Sequence, residues 1–252
     1  MKKWQIANLV AFLVMIMFAG SLIYALGTMN LTSPYSKPWH LLPMVHEDSL
    51  SATYKANYDI IGASPLRLTL YDSSRTNIFI LVDAWGVPVQ ESDLEEDMKV
   101  FEQIPHRFAL HRRLANYTRH AEHAELRNNS SNSFYLFGGD SLQFNRYEYV
   151  PTLGFQQVFY CGECDNNYLV EKLDSLLNNV EPKPDFIAWT VLASSIGNKK
   201  DIRQVLQKIS TLASKHANVR FVVQGTHRPM LCGSETKKMY KSHWVPTVIL
   251  NN

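Results

Sequence analysis

Unbroken apolar runs alternate along this chain with stretches whose apolar residues recur every three or four positions. NIFILVD, residues 77–83, is an almost continuous apolar run of the kind buried between two helical layers; DFIAWTVLAS (185–194) and VRFVVQ (219–224) repeat the pattern. WVPTVIL (244–250) reads as a further strand, with Pro246 tolerated only near a strand start or an edge. SDLEEDMKVFEQI (92–104) sets Leu94, Met98, Phe101 and Ile104 on one side, with Ser92 and Glu95 in capping-box spacing. NNYLVEKLDSLLNN predicts a helix that turns Leu169, Val170, Leu173, Leu176 and Leu177 inward. DIRQVLQKISTLASKH predicts another, with Ile202, Val205, Leu206, Ile209, Leu212 and Ala213 inward. SFYLF (133–137) reads as a short strand, and LRLTLY (66–71) alternates as a strand does. Strand, helix, strand, helix, strand predicts an α/β fold with a mainly parallel sheet sandwiched by helices.

The front of the chain follows another rule. Residues 6–26 carry no charge, and at about 1.5 Å per helical residue they match a hydrocarbon layer of roughly 30 Å, which predicts one N-terminal transmembrane helix. Lys2 and Lys3 precede it, so residues 1–5 read as a cytoplasmic tail and the main domain as periplasmic or otherwise extracytoplasmic. A cleaved signal peptide is the alternative, although its apolar region is normally shorter and followed by a clear small-residue site. Residues 27–64, rich in Ser, Pro, Thr, Tyr and Asn, read as a stalk or lead-in, which leaves 65–252 as the α/β domain.

Composition changes this picture little. The formal net charge of +2 lacks the concentrated basic face that nucleic acid requires, and HRR at 111–113 reads as solvated surface. Cys161 and Cys164 form CGEC, while Cys232 stands alone. One CxxC is too few ligands for structural zinc. The motif fits a disulfide, and it also has the place of a redox pair before a helix, but the acidic Glu163 and Asp165 raise a thiolate pKa and favour a structural role.

Ligands in open α/β sheets collect beyond the carboxyl ends of strands. Asp83 ends one apolar run, and Thr226 and His227 follow another. If both strands are central and parallel, Asp83 and His227 meet at one rim as half of a divalent-metal site; the plainer alternative is a capping carboxylate and an ordinary loop histidine. His120 and His123, three apart, are further metal candidates on a helical face, as Arg119 and Glu122 are an ion pair. FGGDS and NRY, with Arg146, form a glycine loop without the Gly-Lys-Ser/Thr of a phosphate loop.

Together these segments resemble the alkaline phosphatase superfamily, in its membrane-anchored, sulfatase-like branch of phosphoethanolamine and glycerol-phosphate transferases, from about residue 77 onward. NIFILVDAWG is similar to the family's opening strand, whose acid, here Asp83, is a metal ligand. NYTRHAEHAELRNNS is similar to the helix that begins with the threonine or serine nucleophile, with Glu125, Leu126 and Arg127 matching its Glu-Leu-Arg. FYLFGGDSLQFNRYEYVPTLGF resembles the stretch with a substrate histidine and an arginine, QGTHRPMLCG the Gly-Asp-His that supplies two ligands, and HWVPTVIL the closing strand. The resemblance implies zinc or manganese to activate the hydroxyl and hold the transferred oxygens.

The departures weigh against that chemistry. Thr226 stands where the family has an acid, the nucleophile position counted back from Glu125 falls at Ala121, and Phe137 stands for the substrate histidine. Two readings follow. The first is a catalytically degenerate, membrane-anchored module that binds an envelope protein, a glycan or a lipid headgroup. The alternative is an active metal-dependent phosphate or sulfate ester hydrolase, or a phosphoethanolamine-type transferase. Its nucleophile would be Thr118, its ligands Asp83, His227 and His120 or His123, and its anion clamp Arg146 or Arg228.

Overall fold

The computed structural model describes residues 12–20, 49–115, 117–128, 130–138, 149–162, 164–191, 199–230 and 232–251. The chain divides into two units, Met1–Glu47 and Asp48–Asn252. In the first, residues 12–20 form an exposed helix. These nine described residues span about 13 Å, less than half of a hydrocarbon layer. Among the described residues no helix is long and apolar enough to cross a membrane. This corrects the expected transmembrane helix, and with it the single-pass topology, the periplasmic placement of the main domain and the membrane partner. The envelope-protein, glycan and lipid-headgroup partners rested on the same anchor and are set aside with it. The rest of the 6–26 segment and the 1–5 tail lie outside the described residues.

The second unit contains, in chain order, α1 (Ala52–Asn57), β1 (Asp59–Ile61), α2 (Arg67–Leu70), β2 (Asn77–Val82), α3 (Glu91–Met98), β3 (His106–Arg112), α4 (Thr118–Leu126), β4 (Ser133–Gly138), β5 (Gln157–Cys161), α5 (Asn166–Asn179), β6 (Phe186–Val191), α6 (Lys199–Lys215), β7 (Arg220–Gly225), α7 (Ser234–Lys238) and β8 (Trp244–Leu250). The strands form one sheet in the order β1-β3-β8-β7-β2-β6-β4-β5. The sheet is mixed: β8 runs antiparallel to β3 and to β7, and the other pairs are parallel. Pro246 sits in β8 opposite Leu110 of β3, at a point where the ladder to β7, which begins at Thr247, has not started. Its missing N–H therefore leaves that ladder intact.

Both faces of the sheet are covered, as the apolar runs require. Ile78, Ile80 and Val82 of β2 point to a core shared with Leu94, Leu173, Leu206 and Ile209 of α3, α5 and α6. Phe79 and Leu81 point the other way, to Ala121 and Leu126 of α4 with Tyr135, Phe137 and Tyr149. Central β2, β4 and β6 are buried at every position, which is why they read as continuous apolar runs.

Three elements differ from their sequence patterns. LRLTLY folds as one helical turn, closed by Leu70 N–H donating to Leu66 O at 2.8 Å, because the Leu66 amide is also held by Glu125. The N-cap of α3 is Gln90 without a side-chain cap bond, so the Ser92 box does not form. Residues 106–112, whose end overlaps the HRR read as solvated surface, form β3; only Ala109, Leu110 and His111 are buried in it. Within the lead-in, α1 and β1 join the second unit, with β1 pairing with β3.

Cys161 and Cys164 are disulfide-bonded across a sequence separation of 3. Chain entropy assigns a loop this short only about 2 kcal/mol.

Candidate functional site

Period-two alternation decides where the chemistry goes. Phe79 and Leu81 face α4, so Asp83, two further along, faces α4 as well. In β7 the same parity runs Val222, Gln224, Thr226. Because β2 and β7 are adjacent and parallel, in the register Val82 with Gly225, Asp83 and Thr226 leave the sheet side by side. Asp83 N–H donates to Val191 O at 2.9 Å and Thr226 N–H to Val82 O at 3.0 Å, so the ladder continues up to the site.

The two strand-end loops then pack with no room between them. A Cβ on Gly225 would stand 1.8 Å from Trp85 O, and one on Gly86 2.6 Å from Arg228 Cα. Between them Ala84 takes a φ of 56°, a left-handed conformation that costs a non-glycine residue about 1–2 kcal/mol. This strain sits directly after Asp83, where the chain leaves β2.

At this edge Thr118, the first residue of α4, donates its hydroxyl to Asp83 Oδ1 at 2.5 Å. The same Oγ1 lies 3.2 Å from His227 Nε2, which is itself 3.2 Å from Asp83 Oδ1. Thr226 Oγ1 donates to Asp83 Oδ1 at 3.0 Å. All four residues are buried. His227 Nδ1 is 2.6 Å from Arg228 O, which can only accept, so Nδ1 carries a proton. Nε2 then holds a lone pair that the Thr118 hydroxyl can reach by turning from Asp83 or, in the imidazolium, is a donor to Asp83.

Burial pushes the Asp83 carboxyl up, but the hydrogen bond and charge of His227, with the Thr118 and Thr226 hydroxyls, outweigh it and leave the group below the usual carboxylate range. A carboxylate with a depressed folded pKa stabilises above its unfolded value, about 3.9, and that contribution is lost as pH falls through the folded value. Wild type is therefore expected to exceed Asp83→Asn in stability by about 2 kcal/mol at pH 6. The gap closes as the pH falls below 4, read from thermal midpoints across pH 2–6.

What holds α4 in place is a buried polar network. Arg113 donates to Glu125 Oε1 at 2.7 Å, to Gln224 Oε1, and to Gly225 O at 3.4 Å. Glu125 Oε2 accepts from the Leu66 amide at 2.7 Å. Gln224 Nε2 donates to His111 Nδ1 at 2.6 Å, and His111 Nε2 donates to Ser64 O at 3.0 Å. Burial and the nearby Arg113 push His111 down to about 3, so it is neutral. The 3.6 Å approach of His111 Nδ1 to Glu125 is thus not an ion pair. One turn back on α4, Glu122 accepts from Tyr135 OH at 2.8 Å and from Tyr149 OH, and Tyr135 OH pairs with Thr190 Oγ1 at 2.9 Å. The helix presents both of its carboxylates inward, and Arg119 to solvent.

The other sequence candidates lie apart from this cluster. His120 is half-buried beside Tyr117, and His123 packs on the Tyr149 ring; burial first, and cationic neighbours after it, push both imidazoles down. Arg228 is half-buried and donates to Lys237 O at 3.3 Å. Of Arg119 and Glu122, the arginine is exposed and lies over the Tyr149 ring, while the carboxylate is buried and accepts from Tyr135 OH and Tyr149 OH. Arg146 lies outside the described residues. Ala121 packs in the core, and Thr118, one turn earlier, is the α4 residue that reaches Asp83. Arg113, read as solvated, is buried. Nothing in its flanks marks that burial; its distance of twelve positions from Glu125 is legible only once β3 and α4 are known.

Among the described residues no three His, Cys, Asp or Glu side chains converge to hold a metal ion. Asp83 and His227 supply one acid and one imidazole, and the neutral Thr226 hydroxyl stands where a third strong ligand is needed, so this donor set does not suit zinc or manganese.

No protein-family model and no curated protein matches the chain. Among solved structures it is similar to the lipoteichoic acid synthase LtaP from Listeria monocytogenes, at 10% identity and TM-score 0.50, over 72% of this chain and 67% of that one. The phosphoglycerol transferase GacH of Streptococcus pyogenes, in complex with sn-glycerol-1-phosphate, gives 10% identity and 0.46 over 71% and 69%. The C-terminal periplasmic domain of EcEptC from Escherichia coli gives 10% and 0.47 over 70% and 72%. At this identity the likeness concerns the fold alone. The chain has an α/β fold built on a mixed sheet, similar to that of LtaP, with an aspartate, a histidine and two threonines joined at its strand ends. The membrane-anchored branch and the degenerate envelope module do not stand, since no described helix spans a membrane. The metal-dependent hydrolase or transferase does not stand either, since no metal cluster forms among the described residues.

Proposed function

We propose that the strand-end cluster is a hydrolase or transferase site for anionic esters that works through the Thr118 hydroxyl and the His227 imidazole. The observation that carries this reading is the Thr118 oxygen held 2.5 Å from Asp83 and 3.2 Å from His227 Nε2. In the neutral imidazole, Nδ1–H is fixed on Arg228 O and Nε2 holds the lone pair, so the Thr118 hydroxyl has only to turn from Asp83 to Nε2 for that lone pair to take its proton as Oγ1 attacks the ester centre. The imidazolium so formed lies 3.2 Å from Asp83, whose charge stabilises it, and Thr226 keeps the carboxylate oriented. The leaving alkoxide takes the proton back from Nε2. Water or an acceptor hydroxyl then releases the group from Thr118. Exposed Arg119, next to Thr118 at the start of α4, supplies positive charge beside the site for an anionic substrate.

The test is turnover of p-nitrophenyl phosphate and p-nitrophenyl sulfate by the full chain in excess chelator. Activity is expected to persist with chelator and to fall about 10³-fold in Thr118→Ala, with Thr118→Ser retaining a measurable part. Loss of turnover on chelation, no turnover of either ester, or an unchanged rate in Thr118→Ala would each overturn the reading.

A further inference from the structure

We infer that Cys161 and Cys164 form an exchangeable dithiol–disulfide couple, a second chemical site whose partner is an external thiol. The inference does not depend on the Thr118 reading. Cys161 is the last residue of β5, the strand at one edge of the sheet, and Cys164 directly precedes Asp165, the N-cap of α5. Both cysteines are half-exposed, so a thiol can approach the bond without unfolding the chain.

Neither flank relies on the bond. β5 is registered against β4 from Gln157 to Cys161. α5 is capped by Asp165, whose side chain accepts from the Tyr168 amide at 3.0 Å, and is buried through Leu169, Leu173, Leu176 and Leu177. The four-residue loop it closes is too short to restrain the unfolded chain strongly. A crosslink that the fold does not need and that solvent can reach is poised for exchange rather than for stapling.

The step balances with one named co-reactant, a small thiol. Its thiolate attacks one sulfur of the bond, the Cys161–Cys164 bond breaks, and the released cysteine leaves as thiolate and takes a proton. A second thiol then attacks the mixed disulfide. The products are two cysteine thiols and the external disulfide, and the reverse reaction oxidises an external dithiol. The Asp165 carboxylate is held below the usual range by the Tyr168 amide and Asn167, and thus carries a negative charge beside Cys164. It repels anionic thiols, so a cationic thiol should be the faster reactant.

The experiment incubates the full, folded chain with cysteamine or glutathione at equal thiolate concentration, then blocks thiols and counts adducts by mass, with Cys232 as the internal single-thiol reference. The expected result is a gain of two blocked thiols at Cys161 and Cys164, at least threefold faster with cysteamine, with circular dichroism unchanged. A Cys161→Ser/Cys164→Ser variant is expected to stay folded, with a thermal midpoint no more than about 8 °C below wild type, the loss that about 2 kcal/mol produces in a domain of this size. Opening only in denaturant, a glutathione rate equal to or above that of cysteamine, or a midpoint fall of more than about 8 °C in the double variant would overturn the inference.

Discussion

Replacing Glu125 with alanine is expected to lower the stability of the chain by about 3–5 kcal/mol, the cost of leaving a buried partner charge uncompensated. Arg113, wholly enclosed, would lose its 2.7 Å partner, and the Leu66 amide its acceptor. Burial pushes the Glu125 carboxyl up, against the pull of Arg113 and of the Leu66 and Arg67 amides, so the pair holds together only while both members are present. Urea unfolding provides the measurement: the midpoint should fall with little change in slope. The control is Arg113→Met/Glu125→Leu. A buried ion pair replaced by apolar residues of similar size is often neutral, so the double variant should recover much of the loss. A single variant within 1 kcal/mol of wild type would mean that the network does not carry α4.

Gly225→Ala is the second large effect. A methyl group there would stand 1.8 Å from Trp85 O and 3.2 Å from Pro246 Cδ, and the nearer atom belongs to the backbone of the facing loop. A side-chain tip can rotate away, whereas this carbonyl can move only with the chain between Asp83 and Gly86. The expected cost is about 3 kcal/mol, at the upper end for overpacking. The displacement also separates Asp83 from Thr226 and His227, so any activity of the site should fall with stability. Gly62→Ala is the control: nothing lies within 4 Å of its Cβ position, and the substitution should be neutral or stabilise by up to about 1 kcal/mol.

The elements legible in the sequence were those whose burial is complete. β2, β6 and β7 appear as apolar runs because both of their faces meet helices, and α5 and α6 show their leucine and isoleucine stripes because one face of each is covered. β3 was not legible, since exposed His106, Arg107 and Arg112 frame its short buried centre. The meeting of Asp83 and His227 follows from parity and strand order together; parity can be read from the sequence, but the adjacency of β2 and β7 cannot. Thr118 was displaced by one helical turn in the count back from Glu125, because a family pattern gives spacing and only a docked helix gives depth. The buried Arg113 looked like surface because a charge in the core is marked by its partners, and these lie on β7 and on α4.

The position of β8 bears on how the chain is made. β1 and β3 connect to the rest of the sheet through β8, which follows the other described strands in the chain and pairs on its other edge with β7. During synthesis the five strands from β7 to β5 can therefore assemble while β1 and β3 still lack their neighbour. The nascent protein carries an open β3 edge until residues 244–250 emerge, and a ribosome stalled before that point would hold a half-finished sheet exposed to other chains.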